Sequence, residues 1–182
     1  MVNFALPALA ALALAQLTGA TPVAASSSTF SFSKWVDGIL ANPNGDNLTP
    51  EEAVEAWKES LNETSAVATR GNLLQKRADV CNTIPGTEAY IPDAVACIDY
   101  LARLGSQECR VRGYSQFISI GRARIFGIHV DIQTPETSSA CNDIARAAGQ
   151  VMDGCARADN TVQGADYAYG NGHIYVWIQK PE

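Results

Sequence analysis

The stretch SSACNDIARAAGQVMDGCARADNTVQGADYAYGNGHIYVWIQ, residues 138–179, predicts a helix followed by a β-hairpin. Its first half begins with two serines that can cap a helix, and Gly154 is a typical helix end. Apolar residues recur at helical spacing between these points: Cys141, Ile144, Ala145, Ala148, Val151, Met152 and Cys155. Its second half has two β-prone runs, 162–169 and 173–179, around Gly170-Asn171-Gly172. An Asn-Gly pair between such runs is a strong hairpin signal.

The residues upstream of this stretch predict a further helix and three strands. The helix begins at Pro92-Asp93, carries Val95, Ile98 and Leu101 on one face, and ends at Gly105. Strand-like runs follow at 108–112, 115–120 and 122–131. The order α, β, α, ββ predicts an α+β fold, a disulfide-bonded two-layer α/β sandwich in which two helices cover one face of an antiparallel sheet.

All five cysteines lie in the last 102 residues: Cys81, Cys97, Cys109, Cys141 and Cys155. Cys141 and Cys155 are fourteen residues apart on the predicted helix, which separates them by about 21 Å. Bridged cysteines need Cα atoms within about 7 Å, so these two cannot pair with each other. The spacing leaves the other pairings open, and the odd number leaves one cysteine unpaired in a monomer.

The amino terminus predicts export. Residues 4–17 form an apolar run that is too short to cross a bilayer, where about 20 residues are needed. Small residues follow at Gly19-Ala20, as signal peptidase requires. We interpret residues 1–20 as a signal peptide, cleaved after Ala20 or slightly later near Ala24-Ala25, and expect the protein to be secreted and extracellular.

Lys76-Arg77 separates the cysteine-free part of the chain from the cysteine-bearing part. A dibasic pair at such a boundary predicts cleavage by a kexin-type protease. Residues 21–77 would then be a pro-segment, partly disordered over 21–48, with one helix near 50–61 that Thr49 and Glu52 cap. Residues 78–182 would be the mature domain.

The charge of residues 78–182 argues against nucleic acid as a partner. Eight basic and twelve acidic side chains give a net charge of −4, whereas nucleic acids reward lysine and arginine. Four arginines are nevertheless close in sequence and form a candidate target-binding patch: Arg110, Arg112, Arg122 and Arg124. The alternative is that they are ordinary solvated charges on strands.

Several short motifs resemble those of a known toxin family. Ala140-Cys141-Asn142-Asp143-Ile144, then Gly154-Cys155, Gly170-Asn171-Gly172 and the final strand Ile174-Tyr175-Val176-Trp177-Ile178 resemble the carboxyl-terminal half of the killer protein four toxins of smut fungi. The resemblance implies an exported, disulfide-bonded α/β sandwich that acts on other cells by interfering with their calcium uptake. Its implied partner is a cell-surface protein, a calcium channel in the family's mode of action.

The resemblance also implies particular bridges. Carried over, they are Cys81–Cys155 and Cys97–Cys141, which leaves Cys109 unpaired and the protein a monomer or a dimer through Cys109. The toxins are basic, whereas this domain is acidic, and they carry more cysteines. An effector that binds a host surface protein or glycan without channel activity is therefore the alternative function.

The sequence shows no catalytic motif, and we expect neither enzymatic activity nor a cofactor or metal. His-Glu-x-x-His and Gly-x-Ser-x-Gly are absent. Two histidines, His129 and His173, could cleave RNA together with an acid, so a small secreted ribonuclease is the least favoured alternative. Sheet histidines are more often packed or hydrogen-bonded residues.

Overall fold

A computed structural model of the chain describes residues 30–67, 80–131 and 133–182, and of residues 63–67 it describes the backbone only. The predicted signal peptide and the processing site Lys76-Arg77 lie outside the described residues. The helices are α1 Phe32–Ala41, α2 Pro50–Val67, α3 Ile91–Arg103 and α4 Cys141–Cys155. The strands are β1 Val80–Cys81, β2 Ala89–Tyr90, β3 Glu108–Val111, β4 Tyr114–Ile120, β5 Ala123–His129, β6 Thr137–Ala140, β7 Thr161–Val162, β8 Gly164–Ala168 and β9 Asn171–Gln179.

The predicted α+β fold with an antiparallel sheet is confirmed. Five strands pair in the order β1-β8-β9-β5-β4, every pair antiparallel. The predicted terminal hairpin forms as β8 and β9, but its turn is Tyr169-Gly170, and Asn171-Gly172 belong to β9. Gly170 has a φ of 71°, which favours glycine. Helices α3 and α4 both pack on this sheet, through Ile174, Val176 and Ile178 among others, all fully buried. Because side chains alternate between the two faces along a strand, the apolar side chains of β9 face the helices and its aromatic side chains lie on the opposite face.

Strand β3 departs from the predicted sheet. It pairs with β6 in a separate two-stranded ladder, with Cys109 opposite Ser139. The prediction that Ser138-Ser139 cap a helix is wrong, because these residues belong to β6 and the chain passes directly from Ala140 into α4. Pairing between β3 and β6 gives the backbone of these residues the hydrogen-bond partners that capping side chains would otherwise have to provide.

The prediction of disorder over 21–48 is wrong for the described part of that range. Residues 32–41 form α1, whose Phe32, Val36 and Ile39 are fully buried against α4 and α3. Their spacing of three and four is a helical stripe, which the Ser-rich, Asn-rich surroundings obscure. Helix α2 lies where the sequence predicts a helix and extends to Val67. Thr49 and Glu52 form its capping box, with backbone N–H to side-chain distances of 2.8 and 3.3 Å.

The disulfides agree with only one of the two implied bridges. Cys81–Cys155 is present, but Cys141 is bonded to Cys109, so both the Cys97–Cys141 bridge and an unpaired Cys109 are wrong. The β3–β6 ladder brings Cys109 beside the start of α4, at a Cα–Cα distance of 5.0 Å from Cys141. Cys97 is the free cysteine; it is buried on α3, with its Sγ 3.9 Å from the carbonyl oxygen of Ala123. A dimer through Cys109 is excluded by this bond.

Candidate surface sites

Arg110 and Arg112 lie together on and after β3, but they face carboxylates. Arg110 donates to Glu136 at 2.7 Å and to Glu108 at 3.0 Å, and Arg112 donates to Glu136 at 2.9 Å. Hydrogen bonding from Arg112 and the charge of Arg110 lower the pKa of Glu136, and hydrogen bonds from Ser138 and Arg110 lower the pKa of Glu108. The guanidiniums are exposed, yet their positive charge is largely balanced.

Arg124 and Arg122 make different contacts from this pair and from each other. Arg124 is 9% exposed, donates to Glu182 at 3.1 Å and to the Tyr114 hydroxyl at 3.3 Å, and lies over the ring of Phe126. Arg122 lies on the turn between β4 and β5 and stacks on Tyr90, with its guanidinium carbon 3.8 Å from the ring centroid. The four candidate arginines thus have three separate sets of partners.

The sheet face opposite α3 and α4 carries a row of five aromatic rings, which we call the aromatic face: Tyr114, Phe126, Tyr167, Tyr175 and Trp177. The strand register places them together. Tyr167 is opposite Tyr175, and Trp177 is opposite Phe126. Tyr114 is opposite Ile128, which shares its face with Phe126. Directly opposed residues point to the same side of a sheet. The five rings therefore share one face and form a row that crosses four strands.

The rings of the aromatic face contact one another in sequence. Centroid distances are 4.8 Å for Tyr167–Tyr175, 5.6 Å for Tyr175–Trp177, 6.4 Å for Phe126–Trp177 and 5.1 Å for Tyr114–Phe126. Tyr114 and Tyr167, at the two ends, are 49% and 43% exposed, whereas Phe126, between Tyr114 and Trp177, is buried. Mutual contact fixes the rings with little remaining side-chain freedom, as in preorganised binding surfaces.

The alternation in β9 contains the signal for this face. Ile174, Val176 and Ile178 alternate with Tyr175 and Trp177, and the sequence indicates that the two aromatic residues share one side. It does not tell which side the helices cover. Only the pairing of β4, β5 and β9 brings Tyr114 and Phe126 beside the rings of β9, so the full row is visible only in the folded sheet.

The two histidines lie close together, His129 at the end of β5 and His173 near the start of β9. His129 Nε2 is 3.2 Å from the hydroxyl of Thr134, and that hydroxyl donates to Asp131 at 3.3 Å. His173 Nδ1 is 3.7 Å from Asp131. The backbone N–H of Gln133, the Thr134 hydroxyl and the two histidines lower the pKa of Asp131. The pair and its acid are adjacent on the surface, as acid–base chemistry requires.

The described part of the chain contains neither a metal-binding cluster nor a membrane-spanning helix. Over 30–67, 80–131 and 133–182, no three His, Cys, Asp or Glu side chains are placed to hold a metal ion together. In the same ranges no helix is both long and apolar enough to cross a bilayer.

The cysteine-bearing part of the chain matches a known family. Residues 75–180, more than half of the sequence, match the family described as domain of unknown function DUF8794. The chain belongs to this family. The DUF8794 region begins two residues before Arg77 and includes both disulfides, the aromatic face and the histidine pair. No curated protein and no solved structure matches the chain.

Proposed function

We propose that this protein is a secreted, killer-toxin-like effector that acts on other cells by binding a component of their surface through the aromatic face. The observation that carries the proposal is the row of five contacting rings across β4, β5, β9 and β8. Aromatic residues are enriched among those that dominate binding energy, and tyrosine and tryptophan rings present a large contact area at low entropic cost.

The acidic balance and the paired arginines favour this surface over a basic one. Glu136 faces both Arg110 and Arg112, and Glu182 faces Arg124. The exposed Arg110 and Arg112 pairs contribute little binding energy because water and salt screen them, and Arg124 is itself buried. Interference with calcium uptake, the mode of action that the killer protein four resemblance implies, would then follow from binding of the aromatic face rather than from an exposed cationic patch.

The direct test measures binding of the exported protein to intact fungal and plant cells. Tyr114→Ala and Tyr167→Ala remove the two exposed rings, and each is expected to weaken binding about tenfold or more. Tyr100→Ala is the matched control, since Tyr100 is an equally exposed tyrosine on α3, away from this face. Equal binding by all three variants would contradict the proposal.

Calcium uptake by the bound cells separates the two modes of action. A block of uptake that is lost with Tyr167→Ala supports a toxin acting on calcium entry. A block that is lost only when Arg110 and Arg112 are both changed to Glu assigns the activity to β3 instead. Binding without any block supports the alternative effector, and prior enzymatic removal of surface glycans distinguishes a glycan partner from a protein partner.

A second candidate function is favoured by the contact between His129, Thr134, Asp131 and His173. One neutral and one protonated imidazole can serve as base and acid in RNA cleavage. Turnover of RNA by the purified protein that is lost in both His129→Ala and His173→Ala would establish this function. RNA turnover that persists in both variants would assign it to a contaminant.

A further inference from the structure

A pocket of about 350 Å³ lies where β2, β7, the β4–β5 turn and the carboxyl terminus meet. Its walls are Glu88, Tyr90, Gly121, Arg122, Thr161, Lys180 and Pro181. This volume is within the usual range of small-molecule sites, about 300–1,000 Å³. The pocket lies outside the aromatic face and outside the histidine cluster, so it is independent of the proposed function.

Backbone hydrogen bonds hold the walls of the pocket in place. Tyr90 N–H donates to the Arg122 carbonyl at 3.2 Å, and Arg122 N–H donates to Asp93 at 2.7 Å. Lys180 N–H donates to the Thr87 carbonyl at 2.8 Å. Gly121 completes the turn with a φ of 50°, where a side chain would be strained. Three segments of the chain are therefore fixed around one cavity.

The two cations of the pocket form no close ion pair with a carboxylate of the described residues. Within the described residues, neither the Arg122 guanidinium nor the Lys180 ammonium lies within 4.0 Å of an acidic oxygen. Glu88 is the acid in the wall; backbone hydrogen bonds first, and then Arg157 and Lys180, lower its pKa. Arg122, Lys180 and Glu88 are the charged residues of the lining, and the carboxylate of Asp93 lies behind Gly121.

Arg122 contacts the face of the Tyr90 ring through its guanidinium carbon, 3.8 Å from the ring centroid. A guanidinium can bind a carboxylate with two parallel hydrogen bonds from its N–H groups. Pro181, the Tyr90 ring and the aliphatic part of Lys180 provide apolar surface beside it. The complementary ligand combines one anionic group with a flat apolar body.

We propose that this pocket binds a small aromatic carboxylate, with Arg122 and Lys180 holding the carboxylate and Tyr90 and Pro181 contacting the ring. The carboxylate lies between the two cations, neither of which forms a close ion pair with an acid of the described residues. The aromatic body excludes water from these bonds, which strengthens them.

The test is a nuclear magnetic resonance titration of the full chain with millimolar benzoate. Saturable shifts of the Tyr90, Gly121 and Arg122 amides are expected, and Arg122→Gln should weaken binding about tenfold. Lys180→Gln should weaken it by a smaller factor. Lys58→Gln is the control, since it removes the same charge from the distant helix α2 and should leave the affinity unchanged.

Two further probes test the charge and the aromatic ring of the ligand separately. Benzamide keeps the ring without the charge, and inorganic phosphate keeps an anion without the ring; both should bind more weakly than benzoate. Equal binding of benzamide would overturn the role of the two cations. Tighter binding of phosphate than of benzoate would show that the pocket is a simple anion site and would overturn the proposal that the ligand contains an aromatic ring. Absence of saturable shifts, or shifts that Arg122→Gln leaves unchanged, would overturn the site.

Discussion

The segment of residues 30–67 and the region of residues 80–182 contribute to one apolar core but are held in it by different forces. Two disulfides link parts of the cysteine-bearing region, and none reaches the N-terminal segment. Helix α1 is instead held by burial and by side-chain hydrogen bonds to α4. Asp153 accepts from the backbone N–H groups of Phe32 and Ser33 at 2.6 and 3.0 Å.

Helices α1 and α4 are complementary in shape as well as in polar contacts. A Cβ atom at Gly149 would lie 3.0 Å from the Cα of Ser33, so glycine permits the close approach of the two helices. Arg146 on α4 pairs with Asp37 on α1 at 3.0 Å. The match to DUF8794 nevertheless begins at residue 75. A segment outside the family region, and on the far side of a predicted cleavage site, is therefore part of the same core.

The largest expected effect concerns cleavage after Arg77. We expect the amino-terminal fragment to stay bound, because Phe32, Val36 and Ile39 are fully buried. Phe32→Ala should cost about 3–5 kcal/mol and release the fragment. Size-exclusion chromatography after treatment with a kexin-type protease measures this, and Leu61→Ala, at a 38% exposed position on α2, is the control. Separate elution of the unsubstituted fragments would contradict the shared core.

The two disulfides should contribute unequally to stability. Cys81–Cys155 closes a loop of 74 residues and Cys109–Cys141 one of 32. Removing either pair as alanines should cost about 2–5 kcal/mol, and loop entropy makes the loss of the longer bridge costlier by about 0.7 kcal/mol. Urea unfolding of the two double variants measures the difference. A greater cost for the shorter loop would contradict the entropic account.

The hydrogen bonds to Asp153 should stabilise α1 locally. Asp153→Ala leaves the Phe32 and Ser33 N–H groups without this acceptor and should cost about 2 kcal/mol. Amide hydrogen exchange should accelerate across α1. Asp159→Ala removes a carboxylate that accepts from the Thr161 N–H in the disulfide-bonded region, so it should leave exchange in α1 unchanged. Unchanged exchange in Asp153→Ala would show that apolar packing alone holds the helix.

Cys97 should report on unfolding of the disulfide-bonded region. Burial raises the pKa of its thiol to about 12, so at pH 8 the reactive thiolate is about a thousandfold scarcer than at the ordinary value of 9.0. The native protein should resist thiol reagents, and one thiol should react in urea. Cys97→Ala should abolish that reaction and cost about 1 kcal/mol. Rapid labelling of the native protein would contradict the burial of Cys97, and a disulfide-linked dimer would contradict the Cys109–Cys141 bond.

The smallest expected effect is a pH dependence at Glu136. Its pKa is lowered below the ordinary value of 4.5 in the folded protein, first by hydrogen bonding from Arg112. A lowered folded-state pKa stabilises the protein fully above pH 4.5, and this contribution disappears as the pH falls through the folded-state pKa. The difference in melting temperature between the native protein and Glu136→Gln should therefore shrink below pH 4.5. Parallel curves across this range would show that the pairing adds nothing.

Local patterns were sufficient for the elements whose signals are short in range. The apolar stripe of α4, the Thr49–Glu52 capping box and the β-prone runs of the terminal hairpin each depend on residues within a few positions of one another. The Asn-Gly signal predicted the hairpin but not its turn, because Asn171 and Gly172 belong to β9. Helix α1 has such a stripe too, but its polar surroundings resemble a linker, and only burial against α4 distinguishes the two. Periodicity reports which face is apolar, whereas burial depends on what covers it.

The sequence by itself determined the α+β class, the antiparallel hairpin, the exclusion of a Cys141–Cys155 bond and the common side of Tyr175 and Trp177, because helix rise and strand alternation are local geometry. Tertiary structure decided the partner of Cys141, the burial of Cys97, the joining of His129 to His173 through Asp131, and the five-ring row. Each of these depends on which distant strands pair, and pairing is set by the whole core rather than by neighbouring residues. The same reason separates the four arginines: proximity along the chain is not proximity on a folded sheet.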